Sequence, residues 1–300
     1  MTDHSDTSQL SNSKRESSNR LSPQRLGFAC GVCSLLLGLI YLGVAGAPRQ
    51  YLAINVAAFT LGIAGVLLGS LLRWVSSVLI TLGIPLIALV LVVTAVVGPE
   101  FSGASRWLSL GRLSVQPSFV FLPLIVVSFA RAPSAVTLAA ILFAALGLAL
   151  QPDRGMAGAL VFALSAHTVL NPNRQVFIAL AAAIAAFAAT LLQPDTLPAM
   201  PYVEDVVFNA FSVSLGIGVA VVCGLVLLVV PGFAGVWQQG TDRRVCFLFA
   251  ATWFAVIAAA LIGNYPTPVV GYSGAAVLGY VLSVGSLPSA VAPDASKVFS

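Results

Sequence analysis

Long, continuous apolar segments constrain this chain more than any other feature of its sequence. In residues 78–97 and 206–230, for example, apolar side chains follow one another without the alternation typical of a membrane β-strand. Only 8% of the 300 residues are charged and 59% are hydrophobic, whereas a water-soluble domain has about 25% charged residues. The sequence therefore excludes a soluble domain and an outer-membrane barrel, and it predicts an all-α, polytopic helical membrane protein.

The apolar segments also predict the number of helices. A helix needs about 20 apolar residues to span a bilayer, and Pro, Gly, Asn and charged residues mark its ends. This criterion predicts ten transmembrane helices, at 27–46, 51–69, 74–97, 115–130, 134–150, 156–170, 175–192, 206–230, 245–263 and 269–287. The polar residues 1–26 predict a disordered tail, 27–287 a transmembrane domain, and 288–300 a C-terminal tail.

The distribution of Lys and Arg predicts the orientation of these helices. With the N-terminus in the cytoplasm, ten basic residues fall in inner segments and four in outer segments. The excess of positive charge on the inner side places both termini in the cytoplasm. Because the basic residues are spread over short loops, the net charge of +4 indicates membrane orientation and no nucleic-acid partner.

The outer loop at 98–118 is the first candidate for a functional site. It contains Arg106, Trp107, Arg112 and Gln116. Two arginines beside a tryptophan are suited to hold a phosphate together with a sugar or apolar group. The same residue types also anchor proteins at the membrane surface, so interfacial anchoring is an open alternative.

Two further outer segments contain residues capable of chemistry. Glu204 and Asp205 precede an apolar helix, whose dipole favours charged carboxylates, although Asp is also a preferred N-capping residue. Residues 264–274 combine prolines, glycines and hydroxyl groups, including those of Tyr272 and Ser273. This composition predicts an interrupted backbone that lines a polar cavity, with an ordinary loop as the alternative.

Taken together, these segments resemble the SEDS family of bacterial cell-wall proteins, which includes FtsW, RodA and SpoVE. The family pattern N-G-A-R-R-W-I-x-L-G followed by Q-P-S-E is similar to GASRWLSLG at 103–111 and QPSF at 116–119. The family's Q-P-D-x-G-T resembles QPDRGM at 151–156. Its T-D-F-I-F-A-V-I-A-E-E-L-G and P-L-P-F-I-S-Y-G-G-S-S resemble EDVVFNAFSVSLG at 204–216 and PTPVVGYSGAA at 266–276. The motifs occur in family order across the predicted helices.

The resemblance implies a multi-pass protein of the bacterial cytoplasmic membrane with peptidoglycan glycosyltransferase activity. The substrate would be lipid II, polymerised at the outer face in cell division or cell-shape maintenance, with a class B penicillin-binding protein as partner and a divalent cation, Mg²⁺ or Mn²⁺, as cofactor. The family's essential carboxylate falls on Asp205, the candidate general base. The residues assigned to substrate binding are Arg106, Trp107, Arg112, Gln116, Asp153, Glu204, Tyr272 and Ser273.

The chain also departs from the family pattern. Phe119 and Leu122 replace a family Glu and Lys, Val213 and Ser214 replace a pair of Glu, and the outer loop at 193–204 is short. Three hypotheses therefore remain open. The chain is a lipid II polymerase, a protein that binds or flips undecaprenyl-linked lipids, or a non-catalytic scaffold of the division or elongation machinery.

Overall fold

The structure is a computed structural model that describes residues 21–71, 77–101, 103–111, 113–194, 198–238 and 241–289. Eleven helices and two short strands lie within these residues. They are α1 (Pro23–Val44), α2 (Arg49–Leu71), α3 (Ser77–Val97), β1 (Leu108–Leu110), β2 (Leu113–Val115), α4 (Pro117–Arg131), α5 (Ala135–Leu150), α6 (Arg154–Leu170), α7 (Arg174–Leu191), α8 (Val206–Val213), α9 (Leu215–Trp237), α10 (Arg243–Ile262) and α11 (Gly274–Gly285). The predicted all-α fold class is confirmed.

Many of the helices have the length and composition of membrane spans. Within the described residues, five helices are long and apolar enough to cross a bilayer, namely α1, α2, α7, α9 and α10. Residues 82–97 of α3 and the helices α4, α5, α6 and α11 are also apolar but only 12–17 residues long. Short apolar helices fit a bilayer when neighbouring helices surround them, and α4 and α11 pack against each other.

The predicted eighth helix is wrong in one respect, because 206–230 contains two helices. Ser214 has an extended backbone, with φ −168° and ψ 158°, and its hydroxyl accepts a hydrogen bond from the Ile217 N–H. Serine is among the preferred N-capping residues, so this side chain starts α9 in the middle of an apolar segment. The described part of the chain therefore has eleven helices where the sequence predicts ten.

The N-terminal boundary also differs from its prediction. Helix α1 begins at Pro23, four residues before the predicted start, because the Ser22 hydroxyl accepts from the Arg25 N–H and proline suits the first helical position. Residues 23–26 are therefore helical, although the sequence assigns them to the tail. Most of the two predicted tails, 1–20 and 290–300, lies outside the described residues.

Helix α10 lies in the centre of the bundle and α2 lies at its edge. In the span windows, 61% of the α10 residues are buried, against 11% of those in α2. Helix α10 packs against α9, α6 and α4, whereas α2 packs mainly against α11. Glycines permit close approach in the centre, since a Cβ at Gly279 of α11 would collide with the Phe119 carbonyl of α4. This contact fixes the start of α4, where one of the predicted motifs lies.

A small hairpin occupies the connection between α3 and α4, which the sequence treats as a loop. Strands β1 and β2 are antiparallel, with Leu108 opposite Val115 and Leu110 opposite Leu113. Gly111 at the turn has φ 65°, a left-handed conformation that glycine adopts without steric cost. The hairpin brings Arg106 and Trp107, just before β1, towards Gln116 after β2.

Candidate functional site

We call the end of the bundle with the α3–α4, α7–α8 and α10–α11 connections the outer end, after the orientation predicted from the sequence. Seven of the nine predicted site residues form two groups there, together with Ser118 and Tyr202. The Asp153 cluster consists of Arg106, Gln116, Ser118 and Asp153, and the Asp205 cluster consists of Tyr202, Glu204, Asp205, Tyr272 and Ser273.

In the Asp153 cluster, one buried carboxylate is surrounded by donors. Asp153 is 1% exposed and caps α6, with its Oδ1 accepting from the Met156 N–H over 3.2 Å. Its Oδ2 accepts from Gln116 Nε2 over 2.9 Å and from Ser118 Oγ over 2.8 Å. Gln116 Nε2 also donates to Ser118 Oγ over 3.1 Å. The predicted residues Gln116 and Asp153 are thus brought together, and these bonds join the start of α4 to the start of α6.

Arg106 secures the hairpin to the same place. Its guanidinium is 4% exposed and donates from Nε to the Gln151 carbonyl over 3.4 Å and from Nη2 to the Pro152 carbonyl. Charged donors to buried carbonyls are strong hydrogen bonds, so Arg106 fixes the loop before β1 onto the turn that precedes Asp153. Interfacial anchoring of Arg106 at the membrane surface is wrong, because its side chain is buried. Substrate binding by Arg106 stays a prediction.

Of the other two predicted residues of this loop, Trp107 and Arg112, the structure describes Trp107. Trp107 is partly buried, and its ring packs edge-on against Phe101, with centroids 5.8 Å apart. A Cβ at Gly98 would lie 2.6 Å from the Trp107 carbonyl, so glycine at the end of α3 permits this fold of the loop. Arg112 lies outside the described residues.

The Asp205 cluster is built on a tight turn between α7 and α8. Tyr202 has φ 67° and Asp205 has φ 57°, and both values are uncommon for residues other than glycine. Val269, in the opposing loop, has φ 64°, which is still less favourable for a β-branched side chain. The fourth described non-glycine residue with positive φ is Pro152, beside Asp153. Strained backbone of this kind collects at functional sites.

Asp205 stands at the N-cap position of α8 without capping it. Its left-handed backbone turns the side chain away from the first helical turn, and no side-chain cap hydrogen bond forms. The N-capping alternative for Asp205 is therefore wrong. Within the described residues, no hydrogen bond or ion pair involves the partly buried Asp205 carboxylate. A carboxylate in this state remains available as a proton acceptor.

Glu204 differs from its neighbour. Its Oε2 accepts from the Met200 N–H over 2.6 Å, which closes the turn. Burial raises the pKa of Glu204 from 4.5 to about 7, and the charge of Asp205 adds to this effect, while the Met200 hydrogen bond opposes it. The Glu204 carboxyl group is therefore partly protonated near neutral pH.

The α10–α11 loop packs into the bundle against this turn. Thr267 and Val270 are at most 1% exposed, and a Cβ at Gly38 of α1 would meet the Val270 backbone at 2.6 Å. The Thr267 N–H donates to the Val203 carbonyl over 2.8 Å, and the Tyr272 N–H donates to the Tyr202 carbonyl over 2.7 Å. Buried irregular backbone of this kind matches the interrupted backbone predicted for residues 264–274 and differs from an ordinary loop, while the polar cavity that it was expected to line stays a prediction.

Two residues of α2 complete the cluster, and the sequence analysis missed both. The ring of Tyr51 stacks on that of Tyr272, with centroids 3.8 Å apart and planes 5° apart. Asn55 is fully buried and bonds the backbone on both sides of Tyr272. The available signal was an amide side chain inside an otherwise apolar helix, since such groups in membrane segments find partners on other elements.

The same loop joins the two clusters. At its start, the Tyr265 ring lies against α6, because a Cβ at Gly155 would be 2.7 Å from it, and Tyr265 shares a small pocket with Asp153 and Phe119. At its other end, Tyr272 contacts the Asp205 turn. The three outer segments that the sequence singles out are therefore brought together at one end of the bundle.

A divalent cation was a further expectation from the sequence. No group of three or more His, Cys, Asp or Glu side chains placed to hold a metal ion occurs within the described residues. Mg²⁺, however, is commonly bound through one or two carboxylates together with substrate phosphates. The adjacent carboxyl groups of Glu204 and Asp205 fit that smaller requirement.

Comparison with known proteins gives a consistent picture of the fold. No protein-family profile and no curated protein matches the sequence. The crystal structure of the rod shape determining protein RodA of Thermus thermophilus is similar, with 24% identity and a TM-score of 0.59 over 85% of this chain and 92% of that one. An aspartate-to-alanine variant of the same RodA gives 23% identity and a TM-score of 0.57, over 85% and 93%.

A chain from a peptidoglycan synthase complex is also similar. That complex was studied for the structural coordination of polymerization and crosslinking. Its chain is 21% identical with a TM-score of 0.56, and the match covers 85% of this chain and 94% of that one. At such identities the likeness establishes the fold. The chain has the RodA fold.

Proposed function

We propose that this chain is a divergent SEDS peptidoglycan glycosyltransferase of the bacterial cytoplasmic membrane. It would polymerise lipid II at the outer face, in cell division or cell-shape maintenance. The observation that carries the proposal is the Asp205 carboxylate, which stands without a hydrogen bond or ion pair from the described residues, on a strained turn of a RodA-like fold. The motif that resembles the family's essential aspartate falls on the same residue.

Asp205 is suited to the proton transfer that this reaction requires. The acceptor sugar hydroxyl attacks the anomeric carbon of the donor sugar, and the new glycosidic C–O bond forms as the bond to the diphosphate breaks. The hydroxyl proton passes to Asp205, and undecaprenyl diphosphate leaves as the anion. A positioned carboxylate base contributes about 10²–10⁴-fold to such a step.

The leaving diphosphate needs positive charge nearby. A divalent cation, Mg²⁺ or Mn²⁺, would be held by Glu204 and Asp205 together with the diphosphate and would offset the charge of the leaving group. Arg106 and Arg112 are the cationic residues predicted from the motif, and Trp107 would pack on a sugar. For Arg106 this role requires its side chain to release backbone carbonyls that it now bonds.

A partner transpeptidase is part of the proposal. One structural neighbour comes from a complex that couples polymerization to crosslinking. By analogy, a class B penicillin-binding protein would crosslink the strands that this chain polymerises.

One observation favours the scaffold alternative. Phe119 and Leu122, which replace a family Glu and Lys, are 3% and 0% exposed and belong to the apolar core of the bundle. A protein in which buried apolar side chains replace these charges, and in which the outer loop is short, could retain the fold and bind partners without catalysis.

Polymerisation of lipid II by the purified protein separates these functions. The chain is reconstituted with fluorescent lipid II and Mn²⁺ or Mg²⁺, alone and with a class B penicillin-binding protein, and glycan length is measured on a gel. We expect a ladder of glycan strands that chelation of the cation abolishes. Binding of lipid II without any ladder, with or without the partner, would contradict the enzyme and favour the scaffold or the lipid-binding protein.

A further inference from the structure

Asn55 is a polar residue in the middle of the apolar helix α2, and its side chain is fully buried. Its carboxamide bonds the α10–α11 loop at two points. Asn55 Nδ2 donates to the Gly271 carbonyl over 2.8 Å, and the Ser273 N–H donates to Asn55 Oδ1 over 3.2 Å. A single amide therefore satisfies the backbone on either side of Tyr272.

Helix α2 also holds the Tyr272 side chain. Tyr51, one helical turn before Asn55, stacks on the Tyr272 ring at 3.8 Å. The Tyr272 N–H in turn donates to the Tyr202 carbonyl, three residues before Asp205. A continuous series of contacts thus runs from α2 through Tyr272 to the turn that bears the candidate base.

The part of the loop before Gly271 is held separately from Asn55. Val269 has a left-handed backbone, and Val270 is fixed between α1 and α9, where a Cβ at Gly38 or Gly224 would collide with it. Buried backbone groups without a partner are strongly unfavourable, so loss of the Asn55 amide obliges the Gly271–Ser273 segment to shift. That shift would reach Tyr202 through Tyr272.

We infer that Asn55 is a positioning residue for the proposed reaction. From a helix at the edge of the bundle, Asn55 fixes the turn that bears Asp205. The inference rests on the proposed function. Because Asn55 is buried beneath the loop, it acts on the reaction through the placement of the Tyr272–Ser273 segment and of the base. Its replacement therefore lowers kcat.

Asn55→Asp makes this role depend on pH. A protonated aspartic acid has the shape of asparagine, donates its O–H to the Gly271 carbonyl and accepts from the Ser273 N–H. The ionised form instead directs a buried negative charge at the Gly271 carbonyl. Relative to wild type at the same pH, we expect kcat within about threefold at about pH 5.5 and at least about tenfold lower at about pH 8.

Two further variants exclude a general structural effect. Asn55→Leu keeps the size and removes both hydrogen bonds, so its kcat should be low at both pH values. Thr60→Val is the matched control on the same helix, because within the described residues the Thr60 hydroxyl bonds the Val56 carbonyl of α2 alone, and it should behave as wild type. Wild-type kcat at both pH values for Asn55→Asp and Asn55→Leu, in an active protein, would overturn the inference and leave the proposed function intact.

Thermal unfolding distinguishes failure of the inference on Asn55 from failure of the proposed function. The Tm of Asn55→Asp should equal that of wild type at about pH 5.5 and fall below it at about pH 8, whether or not the chain polymerises lipid II. If the wild type is inactive and this Tm pattern appears, the proposed function is wrong and the role in catalysis falls with it. If the Tm difference does not change with pH, Asn55 does not anchor the loop and the inference is overturned.

Discussion

The Asp153 and Asp205 clusters lie at the same end of the bundle and each contains an aspartate at a helix N-terminus, but the two carboxylates are in opposite states. Asp153 is almost fully buried and accepts hydrogen bonds from Met156, Gln116 and Ser118. Asp205 is partly exposed and accepts none from the described residues. The same residue type at the same helix position therefore joins two helix starts by hydrogen bonds in one cluster, and is available as a proton acceptor in the other.

The backbone explains how one sequence produces both states. Asp153 has φ −86°, which lets its side chain reach back to the first turn of α6, as N-capping requires. Asp205 has φ 57°, which prevents that contact. The cost of the left-handed turn is met by the buried loop that bonds it, through Thr267 and Tyr272. The loop thus holds the Asp205 turn in a conformation that the turn would not adopt alone.

Asp205→Asn should produce the largest effect on activity. Asparagine keeps the size and accepts hydrogen bonds but takes up no proton, so polymerisation should fall by about 10²–10⁴-fold. Because no hydrogen bond within the described part of the chain depends on the carboxylate, the Tm should not change. Glycan synthesis per mole of purified protein measures the effect, and full activity in this variant would remove Asp205 as the base.

Asp153→Ala should produce the opposite pattern, a loss of stability. The substitution removes the N-cap of α6 and leaves the Gln116 and Ser118 donors without their acceptor in a buried place. Loss of a cap and of buried hydrogen bonds together costs about 2–4 kcal/mol. Thermal unfolding in detergent measures it. Asp153→Asn, which retains the cap, is the control, and an unchanged Tm for Asp153→Ala would show that the cluster does not stabilise the outer end.

Arg106→Lys should have a smaller effect of the same kind. Lysine keeps the charge but lacks the planar group that donates to two adjacent carbonyls, so one of the bonds to Gln151 and Pro152 is lost. We expect a loss of about 1–2 kcal/mol in stability with kcat near that of wild type. A large fall in kcat at wild-type Tm would instead indicate that Arg106 contacts the substrate during the reaction.

The helices of this fold are largely predictable from sequence because their ends have local causes. Asn173, in a predicted break, caps α7 by accepting from the Val176 N–H, and the break before Asp153 lies at the predicted place. The interruption at Ser214 was not predictable in the same way. It lies within an apolar segment, and a single serine there is also compatible with a continuous helix.

The site was predictable only in part, because its geometry depends on contacts between distant elements. The motifs identify Arg106, Asp153 and Asp205, but their different states follow from burial and from the conformation of the turns. Asn55 reaches a loop 216 residues away along the chain, and no local pattern contains that pairing. An isolated amide in an apolar helix predicts a partner without identifying it.

Glu204→Gln should give the smallest effect, visible as a change in the pH dependence of stability. The folded protein raises the pKa of Glu204 from 4.5 to about 7 by burial, so its protonated form stabilises the fold. This contribution is complete below about pH 4.5 and is lost as the pH rises through about 7. Wild type should therefore lose about 1–2 kcal/mol between these limits, a value reduced by partial exposure of the side chain.

Glutamine is neutral throughout this range, so the Glu204→Gln variant should show a smaller fall in Tm from about pH 5 to about pH 8 than wild type. Glu100→Gln removes an exposed carboxylate at the same outer end and controls for the change in net charge. Activity adds a second measurement. Glutamine beside Asp205 leaves the base in place but binds a divalent cation more weakly than a carboxylate, so polymerisation by Glu204→Gln near pH 6 should fall less than that of Asp205→Asn and recover at a higher Mg²⁺ or Mn²⁺ concentration. A loss as large as that of Asp205→Asn at this pH would show that the two carboxyl groups act as one catalytic pair, and that the contrast between the clusters extends to both residues of the turn.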